Sequence, residues 1–285
     1  MRNVLITGQH SYLGNSLREW LSTRPDAYRV DMLDLKDPAW HEAALGEYDS
    51  VVHMAGIAHV SADPSLANQY YRVNRDLTIE TARKAKADGV RQFIFISSMK
   101  VYGGGGAATV IDRNTVPSPD DDYGRSKLEA EHALTRLCAN DFAVALVRPP
   151  MVYGAGSRGN YPRLARFATK TPLFPDFDNA RSMIHVDNLS EFLRLLIDDR
   201  AAGVYCPQNQ EFVKTSDLVR MIAEVHGRRI RTTRVLNPLI SALLGLPVVN
   251  KVFGDYTYDL AMSEYEKGYR VRDFRTSIAL TESLP

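Results

Sequence analysis

The chain has 285 residues, 45% hydrophobic and 24% charged, a mix that can bury a substantial core and excludes disorder, collagen or coiled coil as whole-chain readings. Its formal charge is +1, from 35 Lys and Arg against 34 Asp and Glu, with no long run of one sign, so no nucleic-acid partner is expected. No apolar stretch of about 18 residues occurs, so no membrane span is expected.

In chain order, the first half alternates short apolar runs with helical patterns. Residues 3–6, 28–33, 50–54, 92–96 and 143–147 read as strands, and 16–21, 38–45, 74–87 and 124–137 as helices. This rhythm predicts an α/β fold with a parallel sheet, helices on both faces, and ligands at the carboxyl ends of the strands. After Tyr153 Pro and aromatic residues become frequent, and helices over 188–198 and 216–226 follow without strands of equal weight. The expected organisation is a nucleotide-binding domain over 1–150 and a smaller, partly interleaved lobe over 151–285. Residues 184–186 and 203–206 are candidate strands of the first sheet. The uncharged stretch 235–250, broken by Pro238, Gly245 and Pro247, reads as a buried helix of the lobe, with contact to a membrane surface as the alternative.

The first strand runs into Thr7-Gly8-Gln9-His10-Ser11-Tyr12-Leu13-Gly14 and then a helix. Gly8 permits the tight turn, Gly14 lets helix and strand approach, and the helix N-terminus offers unpaired N–H groups to a pyrophosphate. Ser11 stands where the usual pattern has its middle glycine. A dinucleotide also needs an acid for its adenosine ribose about 20 residues past the last glycine, and Asp34 is 20 residues on. Two readings of Asp34 stay open: ribose partner, or cap of a helix before Pro38. Lys36, a cation suited to a 2′-phosphate, leaves the coenzyme open between NAD and NADP, with NAD placed first.

The apolar run 92–96 ends in Ser97-Ser98, where the substrate of such a sheet sits. Further on, Asp122-Tyr123-Gly124-Arg125-Ser126-Lys127 puts Tyr123 and Lys127 at i and i+4 on one helix face, with Asp122 as the helix cap. A tyrosine starts near pKa 10, so acid–base work near neutrality needs a drop of roughly 3 units. A fixed ammonium and an oxidised nicotinamide ring both favour that drop. A serine hydroxyl can hold the substrate oxygen while the tyrosine handles its proton.

Thr7-Gly8 through Gly14, Ser98 and Tyr123-Gly-Arg-Ser-Lys127 together resemble the extended short-chain dehydrogenases/reductases, the NAD-dependent epimerase/dehydratase family, over nearly the whole chain. The resemblance implies a Rossmann-like, doubly wound parallel sheet with a smaller C-terminal nucleotide-sugar lobe, and a homodimer formed through helices 74–87 and 127–137. It carries Ser98, Tyr123 and Lys127 over as catalytic residues. Coenzyme contacts fall on Gly8, Ser11, Tyr12, Leu13, Gly14, Asp34, Met54-Ala55-Gly56, Asn74, Tyr123, Lys127 and Pro150. Ser98, Met151 and Arg181 carry over toward a nucleotide sugar, the arginine fork suiting its diphosphate. Met151 stands where many members have asparagine. Only 19 residues separate Asp34 from His53, so one strand–helix unit is expected to be merged or missing.

The implied reaction is an NAD(P)-dependent oxidoreduction at C4 of a nucleotide-linked hexose, UDP first, in surface-polysaccharide sugar synthesis. Met99-Lys100 follows Ser98 in place of an acid pair, which argues against water elimination. Arg148-Pro-Pro-Met-Val-Tyr-Gly with Gly159-Asn-Tyr-Pro resembles bacterial 4-ketoreductases, placed ahead of UDP-hexose 4-epimerases; a non-catalytic dinucleotide sensor is third. Cys138 and Cys206 are too few for a disulfide framework, and a reducing cytoplasm is the default location. Seven histidines form no ligand cluster, so no metal is expected. His53 and His185 read as packed residues, Asn160, Tyr161 and Arg163 as solvated loop residues, and 103–106 as a flap over the site or a plain surface loop.

Overall fold

The computed structural model describes residues 1–58, 67–104 and 109–283; residues 105–106 of the expected glycine loop lie outside them. The chain divides into two compact units, one of residues 1–103, 117–149 and 190–206, the other of 104–116, 150–189 and 207–285.

In the first unit β1 (Arg2–Thr7), β2 (Tyr28–Leu33), β3 (Ser50–His53), β4 (Gln92–Ile96), β5 (Ala143–Val147) and β6 (Gly203–Tyr205) form one parallel sheet in the order β2-β1-β3-β4-β5-β6. Val4, Leu5, Ile6, Val51, Val52, Phe93, Ile94 and Phe95 are all buried, as in a sheet covered on both faces. Helices α1 (Tyr12–Ser22), α2 (Leu77–Ala87), α3 (Asp122–Thr135) and α4 (Val186–Asp199) make the principal connections. The α/β reading of the sequence holds, and three of its strands coincide with β2, β4 and β5.

Between β2 and β3 the expected helix over 38–45 is only a 3-10 turn, Pro38–Glu42, capped by Asp37 and anchored by buried Trp40. The doubly wound order 3-2-1-4-5-6 thus lacks its outermost strand, and β2 is the sheet edge. Arg29 on that edge pairs with Asp31 and Glu47. At the other end, residues 203–206 enter the sheet through β6, and segment 190–206 supplies further partners. The Gln92 amide donates to Leu196 O at 2.8 Å and Ala201 O at 3.1 Å, and the Trp20 indole to Glu191 Oε2 at 2.8 Å.

Four local expectations change. Residues 184–186 do not join the sheet; Met183–His185 pairs with Met151–Tyr153 in the second unit and stops where α4 begins. The helix over 74–87 opens with a π turn, Tyr71–Asp76, before α2. Tyr161 is no solvated loop residue: it lies in helix Asn160–Lys170, buried and stacked on Tyr153 at 5.3 Å, its hydroxyl donating to Glu282 Oε1 at 2.7 Å. Residues 235–250 are no buried helix either. Pro238 and Pro247 each open a short helix, Asn237–Leu243 and Pro247–Phe253, and Val235 and Val248 are 83% and 77% exposed.

The second unit is held by a core that includes Tyr153, Leu164, Phe174, Leu218, Val219, Ile222 and Ile278. Among the described residues no helix is long and apolar enough to cross a membrane, and no His/Cys/Asp/Glu group could hold a metal ion.

Candidate active site

β1 hands over to the glycine loop at Gly8, whose φ is +87°. A Cβ there would stand 3.0 Å from the Ala55 nitrogen and 3.1 Å from its Cα, so both backbone conformation and the close passage of 54–56 require glycine. Ser11, in the middle-glycine position, is the N-cap of α1: its Oγ accepts from Gly14 N at 3.3 Å and its N–H donates to Gly8 O at 2.8 Å. Tyr12 and Leu13 form a first turn without acids, and Gly14 is buried against Ile6. A glycine turn leading into such a helix terminus suits a pyrophosphate. Thr7 pairs with Leu33, and Gly8 N donates to Leu33 O at 3.0 Å, so Asp34 emerges beside the loop. Its carboxylate accepts from Lys36 N at 3.0 Å. The cap before Pro38 is Asp37, which removes that reading of Asp34.

His53 ends β3 fully buried, with Nδ1 on Thr7 Oγ1 and Nε2 on Thr78 Oγ1, both at 3.0 Å. Burial, helped by the Lys127 charge, pushes its pKa down to about 3, so it is a neutral packed residue. Met54, Ala55 and Gly56 follow. Buried Asn74 accepts from Ile57 N at 2.8 Å and donates to Ile57 O at 3.0 Å and Ser126 Oγ at 3.3 Å. Its carboxamide imitates a strand neighbour for the loop and ties that loop to α3. Asn74 sits in the π turn, a distortion frequent at functional sites. A Cβ on Gly56 would stand 3.1 Å from Asn74 Oδ1 and 3.3 Å from Lys127 Nζ.

Beyond β4, Ser98 caps the 3-10 turn Met99–Tyr102, its Oγ accepting from Lys100 N at 3.2 Å. The cap of α3 is Asp121 rather than Asp122: Asp121 Oδ1 accepts from Gly124 N at 2.7 Å, and Asp122 is the first helical residue. Lys100 Nζ reaches Asp120 and Asp121 at 3.3 Å, fixing the start of α3 to the serine turn. Burial pushes the Tyr123 phenol pKa up, the neighbouring Ser98 hydroxyl pulls it down, and Asp121 and Tyr70 push it up further. Lys127 is buried, donates to Ile96 O at 2.9 Å and lies 4.6 Å from the centre of the Phe95 ring. Burial lowers its pKa to about 8, with Glu131 raising it. The structure therefore brings Ser98 and Tyr123 together with Lys127 one turn along the same helix. The expected acidification of Tyr123 by Lys127 is absent here; burial dominates, and the ammonium is bonded to a strand carbonyl.

Sequence reasoning missed the buried Glu131–Arg148 pair. Arg148 reaches both carboxylate oxygens at 2.5–3.2 Å, and its Nη1 donates to Tyr102 OH at 2.6 Å. The pair joins α3, the end of β5 and the serine turn. Its one sequence signal is Glu131 four residues beyond Lys127.

In the second unit, Pro150 is buried, and half-buried Met151 pairs with Met183. Arg181 Nη1 donates to Asn250 O at 3.3 Å and Gly254 O at 2.8 Å. Burial lowers its pKa, Tyr256 and Asp255 raise it, and no carboxylate among the described residues forms an ion pair with it. Arg181 is thus a half-buried guanidinium held by backbone carbonyls.

Residues 4–206 match the family model described as the NAD dependent epimerase/dehydratase family. A UDP-glucose 4-epimerase of Vibrio cholerae is 31% identical over 248 residues, 78% of this chain and 75% of that protein. The N-acetyl-alpha-D-glucosaminyl-diphospho-ditrans,octacis-undecaprenol 4-epimerase of Escherichia coli O157:H7 is 28% identical over 290 residues, 96% of this chain and 84% of that protein. The crystal structure of a dTDP-4-dehydrorhamnose reductase from Clostridium acetobutylicum matches with a TM-score of 0.77 at 18% identity, covering 99% of this chain and 98% of that one. At that identity the likeness speaks for the fold.

Proposed function

The chain belongs to the NAD-dependent epimerase/dehydratase family, and from that premise we propose that it is an NAD(P)-dependent enzyme acting at C4 of a nucleotide-linked hexose, as a 4-ketoreductase. The observation that carries this reading is Lys127, buried one turn beyond Tyr123 on the same helix and bonded to Ile96 O at the end of the strand that leads into Ser98.

The residues present fit a nicotinamide dinucleotide. Gly8 and Ala55 leave no room for a side chain between them, and the first turn of α1 holds no acid. The buried Ser97 hydroxyl past β4 has no hydrogen-bond partner among the described residues. Gly8, Ser11, Tyr12, Leu13 and Gly14 take the pyrophosphate and Asp34 the adenosine ribose, while Met54, Ala55, Gly56, Asn74 and Pro150 make further coenzyme contacts. When bound, the coenzyme supplies the hydride chemistry at C4. Ser98 orients the C4 oxygen, Tyr123 delivers a proton to it, and Lys127 holds the nicotinamide ribose and a positive charge. Met151 and Arg181 take the nucleotide-sugar side, Arg181 as the diphosphate partner.

Burial keeps the Tyr123 phenol neutral, the state that protonates a C4 alkoxide as a ketone is reduced, a step that a reductase and the second half of an epimerisation share. A second reading, 4-epimerisation, is favoured by the Vibrio and Escherichia relatives, both named as 4-epimerases. Their substrate names share a sugar on a diphosphate, carried by uridine in one and undecaprenol in the other.

The test is to denature purified protein and identify any released nicotinamide nucleotide by mass and absorbance. Coenzyme-free protein that oxidises NADH or NADPH with a UDP-4-keto-6-deoxyhexose supports reduction. Retained NAD with interconversion of UDP-glucose and UDP-galactose supports epimerisation. Binding of neither coenzyme overturns both.

A further inference from the structure

We propose that the segment 228–251 of the second unit docks on the anionic face of a lipid bilayer. Residues 225–254 hold no Asp or Glu, yet they carry Arg228, Arg229, Arg231, Arg234 and Lys251, all exposed. Removing these five from the chain's 35 Lys and Arg leaves 30 against 34 acids, so the positive excess is local to this segment. Arg234 bonds Asp176 through Nε at 3.0 Å, while the other four form no ion pair among the described residues.

Between Arg234 and Lys251 every residue is uncharged, and the apolar side chains are in solvent rather than in the core. Val235, Leu239, Leu246 and Val248 are 83%, 58%, 52% and 77% exposed. The inward positions are filled separately: Ile240 is buried, and Val252 and Phe253 pack on the core. The outward residues are thus free of any core role. Helices Asn237–Leu243 and Pro247–Phe253 are far too short to span a bilayer, which leaves an interfacial placement, apolar side chains at the headgroup boundary and cations on the phosphates. A polyanion without an apolar phase would satisfy the arginines and leave the four hydrophobic residues in water. A bilayer satisfies both.

The test is flotation of the full-length protein with vesicles of phosphatidylcholine alone and of phosphatidylcholine mixed with phosphatidylglycerol. Association is expected with the mixed vesicles and to weaken with salt. Arg228→Glu/Arg229→Glu and Leu239→Asp/Val248→Asp should each reduce it about tenfold or more, with melting temperature and turnover of soluble substrate unchanged. Absence of association with either vesicle overturns the proposal, as does binding that survives the apolar double substitution. A wild-type dimer that Leu239→Asp/Val248→Asp converts to monomer overturns it too, because a second copy then covers the face. Since turnover is read on the same samples, failure here is separable from failure of the enzymatic reading.

Discussion

The two ends of the proposed coenzyme cradle in the first unit are built on different plans. At the β1–β2 end the ligand-facing groups are loop backbone and half-exposed side chains, Ser11 and Asp34 among them, beside an edge strand. At the β3–β4 end they are buried and cross-linked: Asn74 to Ile57 and Ser126, Lys127 to Ile96, Glu131 to Arg148 and through it to Tyr102. A dinucleotide can be held by a backbone path that adapts to it. A proton delivered to one oxygen needs its donor fixed far more tightly, because small displacements of catalytic groups are costly in rate. Damage at the second end should therefore appear in turnover, and damage at the first in affinity.

The largest effect expected is that of Tyr123→Phe. Turnover should fall about 1000-fold, within the usual range for a general acid, while coenzyme affinity measured by fluorescence titration stays unchanged. Retained turnover would sink the enzymatic reading. Lys127→Met should separate stability from activity at the same end. The wild-type ammonium has a pKa of about 8 when folded against 10.5 when free, so burying its charge opposes folding at pH 7. The variant should lose activity yet gain about 2 kcal/mol in urea unfolding, after allowing for the lost bond to Ile96 O. That gain should shrink between pH 8 and 10.5, where the unfolded wild-type chain binds more protons than the folded one and wild-type stability rises with pH.

His53 gives a slope of the same sign in a more acidic window. Its pKa is about 3 when folded and 6.5 when free, so below pH 6.5 the unfolded chain takes up a proton that the folded chain refuses. Wild-type stability should fall by about 1.4 kcal/mol per pH unit between those values, and His53→Gln should remove that component of the slope. Equal slopes in the two proteins would show that His53 is not buried neutral. The smallest effect belongs to the open end. Asp34→Ala should weaken NAD binding about tenfold and NADP binding less, with turnover at saturating coenzyme preserved.

The sheet was readable because parallel strands buried on both faces appear as unbroken apolar runs; 92–96 and 143–147 could be little else. Tyr123 and Lys127 were readable as a pair from spacing, since i and i+4 on one helix fix a shared face, whereas Ser98 came from the family resemblance. What escaped was made by tertiary contact. The π turn at 71–76 holds Asn74, whose carboxamide reaches Ile57, a contact no helical periodicity records. Glu131 and Arg148 lie on different elements and meet only when β5 is in the sheet. Tyr161 was misread because Gly159 and Pro162 flank it as loop signals, although a proline in the first helical turn is tolerated. In 235–250 absence of charge was taken for burial, and the prolines that shorten its helices also leave Leu239 and Val248 in solvent.

The return of segment 190–206 to the sheet sets an order of events during synthesis. β1 to β5 leave the ribosome first, and residues 150–189, which belong to the other unit, follow before β6. Until then the Gln92 amide lacks its acceptors at Leu196 and Ala201, and the Trp20 indole lacks Glu191. Closure of the first unit on the ribosome therefore waits for residue 206, and the two units must mature in overlapping time. A gene fragment stopped at codon 150 encodes an interrupted sheet with β5 as a raw edge, the kind of species that chaperones engage and that aggregates when expressed alone.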